Sequence, residues 1–64
     1  MRDIVKLIPA LPGRKEPHYL PREQVAFAVP FRDSAAAAVR LHGREGTTLH
    51  VTLQSVLADR LPLI

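Results

Sequence analysis

The residues able to do chemistry are three histidines, two serines and six carboxylates, with no cysteine. Nucleophilic catalysis needs a nucleophile, a base and an orienting group within hydrogen-bond reach. The serines, Ser34 and Ser55, fall in a turn and at a helix start, outside any G-x-S-x-G elbow. Each carboxylate has an arginine or lysine near it in sequence, the pattern of solvated surface pairs. His42 and His50 could share a face, but a metal site needs a third or fourth ligand, and His18 lies in a remote loop. No enzyme activity, metal or cofactor is expected.

What remains is cationic and polar. Arg14, Lys15, Arg22, Arg40 and Arg44 are candidate contacts to phosphate or to a protein partner, with His42 and His50 flanking them. Residues 1–22 hold Arg2, Lys6, Arg14, Lys15 and Arg22 against Asp3 and Glu16, whereas residues 23–64 are neutral. The whole net charge of +3 therefore sits in the N-terminal third. It reads as a phosphate-contacting loop or as ordinary solubilising charge.

The element that must position Arg40, His42, Arg44 and His50 is a β-hairpin over residues 37–53. Val39 and Leu41 alternate with Arg40 and His42; Leu49, Val51 and Leu53 alternate with His50 and Thr52. Period two on both arms marks half-buried strands. A three-residue loop, Arg44-Glu45-Gly46 with Gly46 at positive φ, puts Leu41 opposite Leu49, Val39 opposite Val51 and Ala37 opposite Leu53. The polar face then carries Ala38, Arg40, His42, Thr48, His50 and Thr52, with Arg40 facing His50. That face is a binding surface or the solvated side of an antiparallel sheet. The run Ala35–Ala38 leaves an alternative, a helix over 34–42 capped by Asp33 or Ser34 and stopped by Gly43.

The rest of the chain completes a β-rich α+β fold, a small antiparallel sheet of three to four strands and one helix. Residues 4–8 read as a strand stopped by Pro9. Residues 9–22 are a proline-rich basic loop, with a type II turn at Pro12-Gly13 and a short extended piece at Tyr19 and Leu20. Tyr19 should pack at the edge of the core with its hydroxyl wet. Residues 25–31 alternate, and Val25, Phe27, Val29 and Phe31 are expected to make the largest contribution to the core. Pro30 places that strand at a sheet edge. A helix over about 54–61, capped by Thr52 or Ser55 and ended by Pro62, should bury Val56, Leu57 and Leu61. Leu63 and Ile64 suit docking rather than fraying.

At 64 residues the chain is a single domain. A domain of this size is marginal alone, so a homo-oligomer is expected. No apolar run approaches the roughly 18 residues of a membrane span, and the start is a poor signal peptide. Cytoplasmic location and no membrane partner are the expectation.

The run His18–Leu61 resembles the first half of the LytTR-type DNA-binding domain and the family of short flagellar and swarming-motility proteins. The matching residues are Val25-Ala26-Phe27, Val39-Arg40-Leu41, Gly46, Val51 and Thr52-Leu53, then Val56 and Leu57 in the helix. The resemblance implies a strand-strand-strand-helix order and a regulatory role. The chain is too short for the further strands and histidine-containing motif of the LytTR-type domain, so no DNA-contacting residue carries over. The resulting expectation is a small regulatory module that self-associates and contacts nucleic acid through basic loops. The alternative is an adaptor or inhibitor that docks on a larger protein by a strand edge or apolar face.

Overall fold

The computed structural model describes residues 3–64; Arg2, part of the basic surplus, lies outside them. Five strands and one helix form in the order β1 (Ile4–Leu7), β2 (His18–Pro21), β3 (Val25–Pro30), β4 (Ala36–Leu41), β5 (Arg44–Thr52) and α1 (Leu53–Ala58), with a 3-10 turn at Arg22–Gln24 between β2 and β3. β1 pairs with β2, and β3, β4 and β5 form a three-stranded antiparallel sheet with β4 in the middle. The β-rich α+β fold is thus the one expected. Residues 36–41 are strand, not helix. Within the loop segment 9–22, the short extended piece expected at Tyr19 and Leu20 is β2, paired with β1. Its type II turn forms: Arg14 N–H donates to the Leu11 carbonyl at 3.3 Å, and Gly13 takes φ 82°.

Short bridges join the two sheets. Pro9 bridges Val51, Thr52 N–H donates to Ile8 and Ala10 N–H donates to His50, so the chain after β1 continues along the outer edge of β5. The core lies between these layers. Val5 and Leu7 of β1, Ala37, Val39 and Leu41 of β4, Val51 of β5, and Val56 and Leu61 from the helix region are all buried. Helix α1 packs against β1, β4 and β5.

The hairpin keeps its expected faces but not its expected register. Val39 pairs with Leu49 and Ala37 with Val51, a slip of two residues. Arg40 accordingly faces Thr48, and Ala38 faces His50. The turn is His42-Gly43, with Gly43 at φ 74°, and Gly46 has no positive φ. Glu45, Gly46 and Thr47 form a bulge that restores the pairing at Arg40–Thr48. Hydrophobic alternation has period two, so it cannot distinguish registers that differ by two.

β3 departs further. A register shift between Val25 and Phe27 leaves Val25 opposite Leu41 but sets Ala28 opposite Val39. Ala28 becomes fully buried, while Val29 is 38% and Phe31 40% exposed. The expectation that Phe27, Val29 and Phe31 build the core is therefore overturned. A bulge at Ala26 turns them to the outer face, because a strand apolar on both parities gives the fold no polar side to hold outward. Pro30 sits on an edge strand, as expected. Ala28 N–H donates to the Pro62 carbonyl at 2.8 Å, and Ile64 N–H donates to the Ala28 carbonyl at 3.0 Å, docking the C-terminal residues in parallel on that edge.

α1 is shorter than expected. Thr52 caps it by accepting from Ser55 N–H. The end comes before Pro62, in a Schellman arrangement: Leu61 N–H bonds the Val56 carbonyl and Arg60 N–H the Leu57 carbonyl. Val56 and Leu61, the apolar pair of that motif, are buried, but Leu57 is 54% exposed. Tyr19 is also exposed rather than packed at the core edge.

Arg60 takes φ 55°, the left-handed position that glycine prefers. Arg60→Gly is expected to raise the unfolding free energy by about 1 kcal/mol, the relief of left-handed strain less the added freedom of the unfolded chain. Leu7→Ala should cost about 2–5 kcal/mol in denaturant titration. Phe31→Ala should cost about 1 kcal/mol or less, as at a surface site; a loss of several kcal/mol would place Phe31 back in the core.

Candidate functional site

The outer face of the three-stranded sheet is read directly from the pairing. One cross-strand row is Phe27, Arg40 and Thr48; the next is Val29, Ala38 and His50. A third is Phe31, Ala36 and Thr52, since Phe31 N–H donates to Ala36 and Ala36 pairs with Thr52. The middle strand offers only the methyls of Ala36 and Ala38 beside Arg40. Side chains from the flanking strands can therefore meet above it. Phe31 and His50 do so, with ring centroids 5.3 Å apart and planes at 74°, an edge-to-face contact.

Arg40 is half-buried and donates an Nη2–H to the Glu45 carbonyl at 2.7 Å, which bends its guanidinium over the bulge. Guanidinium has five N–H donors, and the Glu45 carbonyl is the one hydrogen-bond partner they have among the described residues. Arg40, Phe27, His42 and Glu45 line a depression of about 340 Å³ at the hairpin end of this face. The face thus combines exposed rings, a cation and small apolar ground between them. Such a surface stacks planar groups and pairs with anions.

The seven sequence-predicted residues do not form one cluster. Arg40 and His50 lie on the outer face, and His42 sits beside it in the turn rather than on the strand. Arg44 opens β5 at the exposed tip. Arg14 and Lys15 line a separate concavity in the loop after β1. Arg22 is engaged elsewhere: its Nε–H pairs with Asp3 Oδ2 at 2.5 Å, and an Nη1–H bonds the Asp59 carbonyl. The hydrogen bond to Asp3 raises its pKa. A raised pKa on a base means this contribution persists below the unfolded value and is lost only as pH climbs through the folded one. It is therefore constant across neutral pH.

Phe27 and Phe31 are the site residues the sequence reading missed. The available signal was that both parities of this strand are apolar, so alternation alone left open which side turns in; the alanine side does, with Ala28 fully buried. Ser55, one of the two serines, is nearly buried. Its hydroxyl donates to the Thr52 carbonyl and accepts from Ile8 N–H and the Thr52 hydroxyl, so it joins β1 to the helix cap.

Comparison with protein-family models, curated proteins and solved structures finds no match. No helix among the described residues is long and apolar enough to cross a membrane.

Because Arg22 ties the N-terminal strand region to the end of α1, Arg22→Ala is expected to lower the thermal midpoint. It should leave ligand binding at the outer face unchanged. An affinity loss without a stability loss would assign Arg22 to the site instead.

Proposed function

We propose that this chain is a small, non-catalytic regulatory module that takes single-stranded nucleic acid on the outer face of its three-stranded sheet. The Phe31–His50 ring pair beside Arg40 carries this reading. Bases stack on exposed rings at about 1–3 kcal/mol each and with little sequence preference. Arg40, Arg44 and the hairpin tip supply charge at one end of the face. At the other side, the chain bonded to His50 through Ala10 leads straight into the loop bearing Arg14 and Lys15. Phosphate contact through this loop extends the surface, while Arg22 is not part of it. The regulatory role and the cytoplasmic setting rest on the resemblance and the sequence pattern described above.

One observation favours a second reading. Val29, Phe31, Leu63 and Ile64 are exposed apolar residues on β3 and the C-terminal residues docked to it. A second copy or a larger protein could cover them, which would make the chain an adaptor.

Fluorescence anisotropy with a labelled single strand of roughly a dozen nucleotides tests the lead reading. Binding is expected to be tighter for single strands than for duplex and to fall steeply with salt. Phe31→Ala should weaken it roughly five- to hundredfold. Arg40→Ala should reduce the salt slope by about one. If neither single strands nor duplex bind at low salt, the nucleic-acid reading is wrong. Sedimentation of the same samples distinguishes monomer, self-association and complex.

A further inference from the structure

The loop between β1 and β2, which the sheet-face reading uses only for its added positive charge, has a construction that charge alone does not require. It is held at both ends. Pro9 is buried and bridged to Val51, Ala10 is bonded to His50, and His18 pairs with Leu7 at the start of β2. Between these anchors the Leu11–Arg14 turn is closed by its own hydrogen bond and by Gly13 in the left-handed region. Four prolines, Pro9, Pro12, Pro17 and Pro21, fix φ along and beside it. A loop so braced loses little freedom when a ligand binds.

The loop encloses a concavity of about 450 Å³, within the range of small-molecule sites. Arg14, Lys15 and His18 line it, together with Gly13, Glu16 and two prolines. Among the described residues neither Arg14 nor Lys15 has a side-chain hydrogen bond or salt bridge; the single salt bridge there is Arg22–Asp3. Two unengaged cations and an imidazole around a hollow braced at its ends and at its turn suit a compact anion.

We propose that this loop binds a phosphate monoester group, with Arg14 and Lys15 neutralising its charge and His18 donating a hydrogen bond. The chemistry favours a monoester over the diester of an internal nucleotide link. A monoester carries about −1.5 to −2 charge at neutral pH and three free oxygens. Arginine presents a planar fork to two of them and lysine a point charge to the third. Glu16 opposes the anion, so its removal tightens the site. The group has two sources, the terminal phosphate of a nucleic-acid strand and a free phosphorylated small molecule. The site stands independently of the sheet face.

Amide chemical shifts of the isotope-labelled full chain, titrated with phenyl phosphate at constant ionic strength, test it. Saturable shifts confined to residues 9–18 are expected. The Arg14→Ala/Lys15→Ala double variant should weaken binding about tenfold or more, and Glu16→Gln should strengthen it. Both changes are at exposed positions, and a dispersed spectrum verifies the fold. A strand with a 5′-phosphate that binds tighter than its 5′-hydroxyl twin identifies the strand end as the source. Equal binding of the two strands, with phenyl phosphate still bound, identifies the free ester. Shifts that do not saturate, that chloride reproduces, or that persist in the double variant overturn the proposal.

Discussion

The bulge at Ala26 decides what this molecule shows to its surroundings. Before it, Val25 points inward opposite Leu41; after it, Ala28 does, opposite Val39. One extra residue exchanges the faces of everything that follows on the strand. Had the strand continued in register, two phenylalanines and a valine would have entered a space already filled by Val5, Leu7, Val39, Val51 and Val56. A core of this size accommodates an alanine methyl at that point and the rings go outside. The exposed aromatic face is thus a consequence of limited interior volume as much as of strand pattern.

The same economy governs the edges. A sheet edge left open invites pairing with other chains, and this chain uses its own groups to close most of them. Lys6 N–H on the outer side of β1 donates to Asp59 Oδ2, and Ile8 N–H donates to Ser55 Oγ. The chain after β1 runs along β5, and residues 62–64 run along β3. In the absence of disulfides, these backbone and side-chain bonds join segments distant in sequence and draw the two small sheets around one helix. Several of the groups involved in these long-range contacts also sit where an element ends: Ser55 in the first turn of the helix, Asp59 at the helix end, Pro9 after β1. There, closure and termination are achieved by the same residues.

How much of this could be read from the sequence depends on whether the two faces of an element differ. β4 was legible because Arg40 interrupts Val39 and Leu41, so only one parity is apolar. The order of strands and the C-terminal helix followed from such contrasts and from the prolines. β3 was not legible, since Ala26, Ala28 and Pro30 are no more polar than Val25, Phe27 and Val29. The hairpin register failed for a related reason: a two-residue slip preserves both faces, and Gly43 and Gly46 were equally acceptable turn residues on pattern alone. Of the site, Arg40 and His50 were found because charged and polar residues on an alternating strand must face out. The rings beside them were missed because an aromatic residue in a strand is ordinarily taken for core.

Ala36 and Ala38 set how the flanking strands meet on the outer face. In a helix, a run of alanines reflects propensity; on the outer face of a middle strand it does something different. Larger residues at these positions would separate β3 from β5 on that face and fill it with their own side chains. With methyls there, the ring of Phe31 reaches the ring of His50 across the strand between them, while Arg40 one row along keeps the face cationic. The interior has little use for these alanines, because Ala37 alone points inward from the run. Their position is set by what meets above them, the ring of Phe31 from one flanking strand and that of His50 from the other.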